Sequence, residues 1–233
     1  MKLIFIHESG SIGEEWYYQT QYFAGSEAID LPGHPEGELC QSIDEYTEWV
    51  HDYIHQQNYR EIVLAGHSIG GAIAMTYALE YPDELKALIL IGTGARLRVH
   101  PMYLTEYETG VKDRVTWEKN VSFHPEFFTR EQHEIFKKKQ ILIGPEAKLN
   151  DYRCCDKFDI IDRVRKIRLP TLILCGSKDV MTPVKYSRYL SEKISGARLV
   201  IVTGATHDVS LEKPDEVNKA IEEFLKSLNR VKF

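Results

Sequence analysis

The run Ile62-Val63-Leu64-Ala65 leads directly into Gly66-His67-Ser68-Ile69-Gly70-Gly71, and a helix-patterned stretch, Ala72 to Tyr81, follows. An apolar run of this kind is expected to be a buried strand, so the Gly-x-Ser-x-Gly falls on a sharp strand-to-helix turn. That context marks a nucleophile elbow. The serine of such a turn sits in a strained backbone conformation. Gly66 and Gly70 flank it because side chains there would collide with the turn or with the neighbouring strand and helix. The turn raises Ser68 Oγ above the sheet edge and sets a helix start beneath it, where free N–H groups and the helix dipole favour negative charge. Glycine-rich turns that merely contain a serine are common; the strand before and the helix after distinguish this one.

The chain has 233 residues, which suits one domain with an insertion at roughly 150 residues per domain. A formal net charge of −6 argues against nucleic acid or an anionic membrane as partner. Met1-Lys2 runs straight into Leu3-Ile4-Phe5-Ile6, an apolar run too short for a signal core or a membrane span. Cys40, Cys154, Cys155 and Cys175 have no metal-ligand spacing, and adjacent Cys154 and Cys155 are poorly placed to bond to each other. Cys175 lies in an apolar run and reads as a small core residue. A reduced, cytoplasmic protein is the expectation.

Short apolar runs alternate with helical patterns, which predicts a parallel sheet covered on both faces. The expected strands are Leu3–His7, Glu27–Leu31, Ile62–Gly66, Ala87–Gly92, Thr171–Gly176 and Arg198–Thr203. The expected helices are Ser42–Gln57, Gly70–Tyr81, Val184–Ile194 and Pro214–Leu228. Ser42 followed by Glu45 has the form of a capping box, and Pro214 suits a first helical turn. The alternation breaks between Arg96 and Lys157, where charged helical sequence carries Tyr103, Tyr107, Trp117, Phe123, Phe127, Phe128 and Phe136. So many aromatics need a surface to pack against. The organisation expected is a core of residues 1–95 and 158–233 with a helical cap at 96–157.

A serine hydroxyl needs a base within hydrogen-bond reach, itself oriented by a carboxylate. The strand Thr171–Gly176 empties into Ser177-Lys178-Asp179, and Arg198–Thr203 empties into Gly204-Ala205-Thr206-His207. In an open parallel sheet ligands bind beyond the carboxyl ends of strands, so Ser68, Asp179 and His207 can converge there.

With these residues in order, the chain resembles an α/β-hydrolase-fold serine hydrolase over nearly its whole length. The resemblance rests on Phe5-Ile6-His7-Glu8-Ser9-Gly10, Asp30-Leu31-Pro32-Gly33-His34, Gly66-His67-Ser68-Ile69-Gly70-Gly71, Cys175-Gly176-Ser177-Lys178-Asp179 and Gly204-Ala205-Thr206-His207. It implies a three-layer α/β/α sandwich with a mainly parallel sheet of about six strands, lacking the first two strands of many relatives. Glu27–Leu31 should then lie at an open edge, blunted by Glu27 and Asp30. It also implies that Ser68 is the nucleophile, His207 the general base and then acid, and Asp179 the residue orienting the imidazole. The elbow aims the Ile69 N–H at the developing oxyanion, and by resemblance the second donor is the backbone N–H of Ser9. Relatives usually carry His-Gly here; Glu8 stands where the glycine is expected, able to restrict the backbone or to bring a carboxylate to the site.

Other polar residues read as structural. Asp208 is expected in a loop or helix cap, Glu212 against the last helix, His67 packed below the site, His7 buried and bracing the oxyanion loop, and His34 shaping a turn. His7, His34 and His67 lack metal-ligand spacing. Lys137-Lys138-Lys139 reads as a solvated helix face.

Serine as nucleophile disfavours the dehalogenases and epoxide hydrolases of this fold, which use aspartate there. The activity expected is hydrolysis of a small to medium carboxylic ester through an acyl-enzyme, without cofactor or metal. Tyr103, Tyr107, Trp117, Phe127 and Phe128 are candidates for contacting the substrate. The alternatives are a thioesterase or enol-lactone hydrolase, a lyase or perhydrolase that reuses the triad, and last a non-catalytic ligand receptor. The expected partner is a small ester or thioester, with the chain a monomer or homodimer.

Overall fold

Six runs become strands, the four central ones largely apolar because residues buried on both faces of a sheet need no polar alternation. They are β1 (Lys2–Ile6), β2 (Glu27–Ile29), β3 (Ile62–His67), β4 (Leu85–Ile91), β5 (Thr171–Gly176) and β6 (Arg198–Val202). The computed structural model describes residues 1–120 and 125–228; Phe123 lies outside them. The strands form one sheet in the order β2-β1-β3-β4-β5-β6, with every pairing parallel.

Alternate residues of each strand feed two separate cores. Ile4, Ile6, Leu64, Leu88 and Leu90 pack on one side with α2 (Ile43–Gln56), α3 (Ile69–Glu80) and α7 (Val184–Lys193). Leu3, Phe5, Val63, Ile89 and Leu172 pack on the other with Trp16 and with Val217, Ile221 and Phe224 of α9 (Pro214–Leu228). The result is the three-layer α/β/α sandwich expected. Two short helices were not anticipated, α1 (Tyr17–Tyr22) and α8 (Val209–Glu212). At α2 the Ser42 hydroxyl accepts the Glu45 N–H, but the Glu45 carboxylate reaches back to the Gln41 N–H instead of closing a capping box.

The edge strand β2 is only three residues long. Its Glu27 carboxylate accepts the Tyr53 and Tyr59 hydroxyls and pairs with Lys2, so the edge is covered by side chains from α2 and the turn after it. Asp30 faces inward on the chain instead, accepting the Gly13 N–H at 2.7 Å.

Between β4 and β5 lie α4 (Pro101–Lys112), α5 (Arg114–Asn120) and α6 (Arg130–Lys157). Helix α6 breaks at Gly144, whose φ of 72° and ψ of 178° leave the helical region, with Pro145 following. Phe136, Ile143 and Ala147 form a small cluster with Ile12, whereas Cys154 and Cys155 belong to the α2–α3 core. The last turns of this helical stretch are therefore part of the main core. Lys139 departs from the solvated face expected of it: its ammonium pairs with Glu14 and lies 3.7 Å from Asp30. Among the described residues no helix is long and apolar enough to cross a membrane, and the four cysteines are free.

Asp151 fastens α6 to α2 and to the loops after β1 and β2. One oxygen lies 3.0 Å from His34 Nε2 and accepts the Gly10 N–H at 2.8 Å; the other accepts the Tyr46 hydroxyl at 2.8 Å. Burial opposes both charges, but each partner holds the other charged: the His34 pKa is raised and the Asp151 pKa lowered. His34 is thus a fully buried ion-pair partner, more than the turn residue expected. Removing one member of such a pair strands the other. Asp151→Ala is expected to destabilise the fold by about 3–5 kcal/mol, read by urea denaturation; a loss below about 1 kcal/mol would show that the pair does not hold α6.

Candidate active site

At the end of β3 the chain reverses within a single residue. Ser68 has φ 53° and ψ −112°, a region that costs a non-glycine residue roughly 1–3 kcal/mol. Four hydrogen bonds hold it there. Its N–H donates to Ile91 O, and its carbonyl accepts from Gly71 N, Ala72 N and the Thr93 hydroxyl. The flanking glycines are required by close approach. A Cβ on Gly66 would lie 2.1 Å from Gly70 O, and one on Gly70 would lie 2.4 Å from Ile6 O. Ile69 opens α3 directly after the serine.

The structure brings Asp179 and His207 together at the carboxyl ends of β5 and β6. His207 Nδ1 lies 2.8 Å from Asp179 Oδ2. The carboxylate is fully engaged: Oδ1 accepts the Met181 and Thr182 N–H groups, and Oδ2 also accepts the Thr182 hydroxyl at 2.7 Å. Burial pushes the Asp179 pKa up, but the bonds from His207 and Thr182 prevail and the net shift is downward. An ionised acceptor at Nδ1 puts the proton on that nitrogen and leaves Nε2 as the basic lone pair. Thr182, not anticipated, is the residue that orients the acid. Glu212 braces the same loop by accepting the Thr206 N–H at 2.8 Å and the Thr206 hydroxyl, so it serves the histidine turn and not the last helix. Asp208 occupies the N-cap position of α8 and makes no capping bond with its side chain.

The loop after β1 explains how a glutamate replaces the usual glycine. Among the described non-glycine residues, positive φ occurs at Asn58, Glu61 and Ser68, so Glu8 has no need of a glycine's freedom. Its side chain reaches the site. Glu8 Oε2 stands 3.7 Å from His207 Nε2, and Oε1 lies 3.6 Å from Lys148 Nζ on α6. Burial disfavours the Lys148 charge, but Glu8 outweighs it and the ammonium pKa is raised. Among the described residues His207 Nε2 has no hydrogen-bond partner. His7 braces the loop as expected. Its Nε2 accepts the Leu31 N–H at 3.1 Å, which fixes the proton on Nδ1, and Nδ1 donates to Glu8 O at 2.7 Å. Burial and the neighbouring His34 lower its pKa to about 3, so it is neutral.

His67 and Glu15 form a second buried pair beneath the site. His67 Nδ1 lies 2.9 Å from Glu15 Oε1, and Nε2 donates to the backbone oxygen of His207 at 3.1 Å. Burial works against the imidazolium, but Glu15 overcomes it and raises the pKa to about 9. Glu15 also accepts the Glu8 N–H at 3.1 Å. One buried carboxylate, missed in the sequence, thus ties the loop after β1 to the turn that carries His207. Donor atoms of Glu8, His67 and His207 lie within 4.8 Å of one another. Both His67 nitrogens are committed to hydrogen bonds, and a cationic imidazole is no ligand, so this donor set does not fit a metal.

Two cavities open on this region. A pocket of about 200 Å³ is lined by Ser68, Ser9, Tyr103, Tyr152, Cys155 and the Val180–Pro183 loop. A larger one, about 510 Å³, is lined by Glu8, Lys148, Tyr107, Trp117 and Phe136. Of the aromatic candidates, Tyr103 reaches the serine pocket, and Tyr107 and Trp117 reach the second cavity. Phe127 and Phe128 line neither. Phe128 stacks on Phe136 at 4.9 Å, and Phe127 offers its carbonyl to Tyr18.

A family model described as the alpha/beta hydrolase family matches residues 3–220, and the chain belongs to that family. A thermophilic esterase of known structure is 33% identical, with a TM-score of 0.79 over 97% of this chain and 90% of that one. The putative esterase/lipase 2 of Mycoplasma pneumoniae is 28% identical over 249 residues, covering 98% of this chain and 90% of that protein. The pimeloyl-[acyl-carrier protein] methyl ester esterase of Neisseria meningitidis serogroup C is 27% identical over 199 residues, 77% of this chain and 75% of that protein. By family and by these relatives the protein is a hydrolase.

The His67–Glu15 pair makes stability depend on pH in a defined direction. A histidine whose folded pKa is raised to about 9 stabilises fully below its unfolded value of about 6.5, and the contribution is lost as pH climbs through the folded value. The thermal midpoint is expected to fall between pH 6.5 and 9, and Glu15→Gln to flatten that fall. A variant with the wild-type slope would remove this pair as its source.

Proposed function

We propose that the protein is a serine esterase in which Ser68, His207 and Asp179 hydrolyse small to medium carboxylic esters through an acyl-enzyme. The observation that carries this is the 2.8 Å bond between His207 Nδ1 and Asp179, with Ser68, held at positive φ, lining a pocket together with Thr182, whose hydroxyl and N–H hold Asp179. Ser68 Oγ attacks the ester carbonyl carbon while its proton passes to His207 Nε2. The alkoxide leaves with that proton, and water, deprotonated by the same nitrogen, releases the acid and frees Ser68. The Ile69 and Ser9 N–H groups are the donors to the oxyanion; Ser9 is buried in the loop that shares the pocket with Ser68. Glu8 faces His207 on the side where imidazolium charge develops, so its carboxylate stabilises that charge.

The serine pocket also bears on substrate. Its volume of about 200 Å³ is below the roughly 300–1,000 Å³ of sites for drug-sized ligands, which favours a short acyl group. Arg98, His100 and Lys185 are among the residues lining it, and no carboxylate is. Esters carrying a carboxylate remote from the reacting bond suit that lining, and the segment from α4 to α6 acts as the cap that encloses them. The esterase names of the relatives agree with ester cleavage.

Two measurements test this reading. A fluorophosphonate probe is expected to label the folded protein at Ser68, and Ser68→Ala to lower ester turnover by at least about 10³-fold; equal turnover by the alanine variant would end the assignment. Half-esters of short dicarboxylic acids are expected to exceed matched neutral esters in kcat/KM. Arg98→Gln with Lys185→Gln should erase that preference while sparing the neutral ester; a preference that survives the double substitution would place the selectivity elsewhere.

A further inference from the structure

At the opposite end of the strands from Ser68, two histidines and a carboxylate converge without any part in the chemistry above. His51 and His55 stand one turn apart on α2, with ring centroids 4.3 Å apart. Glu84 comes from the turn Pro82–Glu84, immediately before β4, and so sits at the amino end of the parallel strands, whereas Ser68 lies at their carboxyl end. Its Oε1 is 3.4 Å from His51 Nε2 and 3.1 Å from His55 Nε2. A tetrahedral ion with ligands at 2.0–2.2 Å separates neighbouring donors by about 3.3–3.5 Å, so one oxygen already stands near such an edge length from both imidazoles. All three donor atoms fall within 4.8 Å of one another.

The surroundings hold these donors in place. The other Glu84 oxygen accepts the Tyr77 hydroxyl at 2.5 Å, which fixes the carboxylate plane. The His51 ring stacks on Tyr81 at 4.0 Å with 19° between planes. The His55 side chain is 48% exposed, leaving the fourth position toward solvent. We propose that His51, His55 and Glu84 bind one divalent transition-metal ion of the zinc and cobalt class. Two imidazole nitrogens select such ions over calcium and magnesium, which take oxygen ligands. The bound ion joins α2 to the turn after α3, so its effect is on stability and not on ester cleavage.

The test uses the full chain without an added histidine tag, stripped with chelator and titrated with Zn²⁺ by calorimetry and with Co²⁺ by visible absorption at pH 7.5. The expected result is one ion per chain, a Co²⁺ spectrum of four-coordinate intensity, and a thermal midpoint several degrees higher with Zn²⁺. Mg²⁺ should leave the midpoint unchanged. His55→Gln and Glu84→Gln should each weaken Zn²⁺ binding at least tenfold, while ester turnover in His55→Gln stays at the wild-type rate and shows an intact fold. No heat and no shift in midpoint in the wild type would leave these residues as an ion-pair cluster and overturn the proposal. Undiminished binding in both variants would overturn it as well, by placing the ion elsewhere.

Discussion

The backbone at Ser68 is the constraint around which the rest of the molecule is arranged. A residue with a side chain is held at φ 53°, and nothing local to the serine favours that conformation. It persists because strand β3 delivers the chain at a fixed height, helix α3 leaves at a fixed angle, and Ile91 and Thr93 of the neighbouring connection accept and donate at the turn. Close packing of Gly66 on Gly70, and of Gly70 on the backbone of Ile6, lets strand and helix approach closely enough to impose it. Sheet order matters for the same reason: β3 lies between β1 and β4, so both neighbours contribute to the turn.

Around this turn the protein buries charge in pairs. Glu15 with His67, Asp151 with His34, and Glu8 with Lys148 all sit where isolated charges would be strongly disfavoured. Such pairs add little net stability compared with apolar packing, and their value is geometric. Each joins segments far apart in the chain: the loop after β1 to the end of β3, the loop after β2 to α6, and α6 to the residue facing His207 Nε2. The loop after β1 is thereby fixed by directional bonds at Glu8 N, Gly10 N and His7 Nδ1.

Much of this was legible in the sequence because its signals are local. The four central strands are buried on both faces and read as apolar runs; β2 and β6, partly exposed at the edges, keep enough apolar residues to be read as well. The elbow and the two strand-end loops carrying Asp179 and His207 share that clarity. What escaped was set by partners distant in sequence. Asp151 and His34 are 117 residues apart, and neither looks unusual alone. Lys139 reads as one of three surface lysines until Glu14 is brought beside it. Of the two readings of Glu8, a restricted backbone or a carboxylate at the site, the second holds: its φ lies outside the region that glycine alone enters freely, and its carboxylate stands 3.7 Å from His207 Nε2. The His51-x-x-x-His55 spacing was present on a helix face, whereas Glu84, which completes that cluster, comes from another element. Short helices such as α8, four residues long, lack the length over which a helical period can be seen.

Helix α6 borders both cavities, one after the other along its length. Tyr152 and Cys155 border the serine pocket, while Gln140, Gly144 and Lys148 border the larger chamber. Lys148, Tyr152 and Cys155 recur at helical spacing along a single stripe, so the two linings succeed each other on one face of the helix. The chambers are therefore coupled through one rigid body: any displacement of this segment alters both contours together.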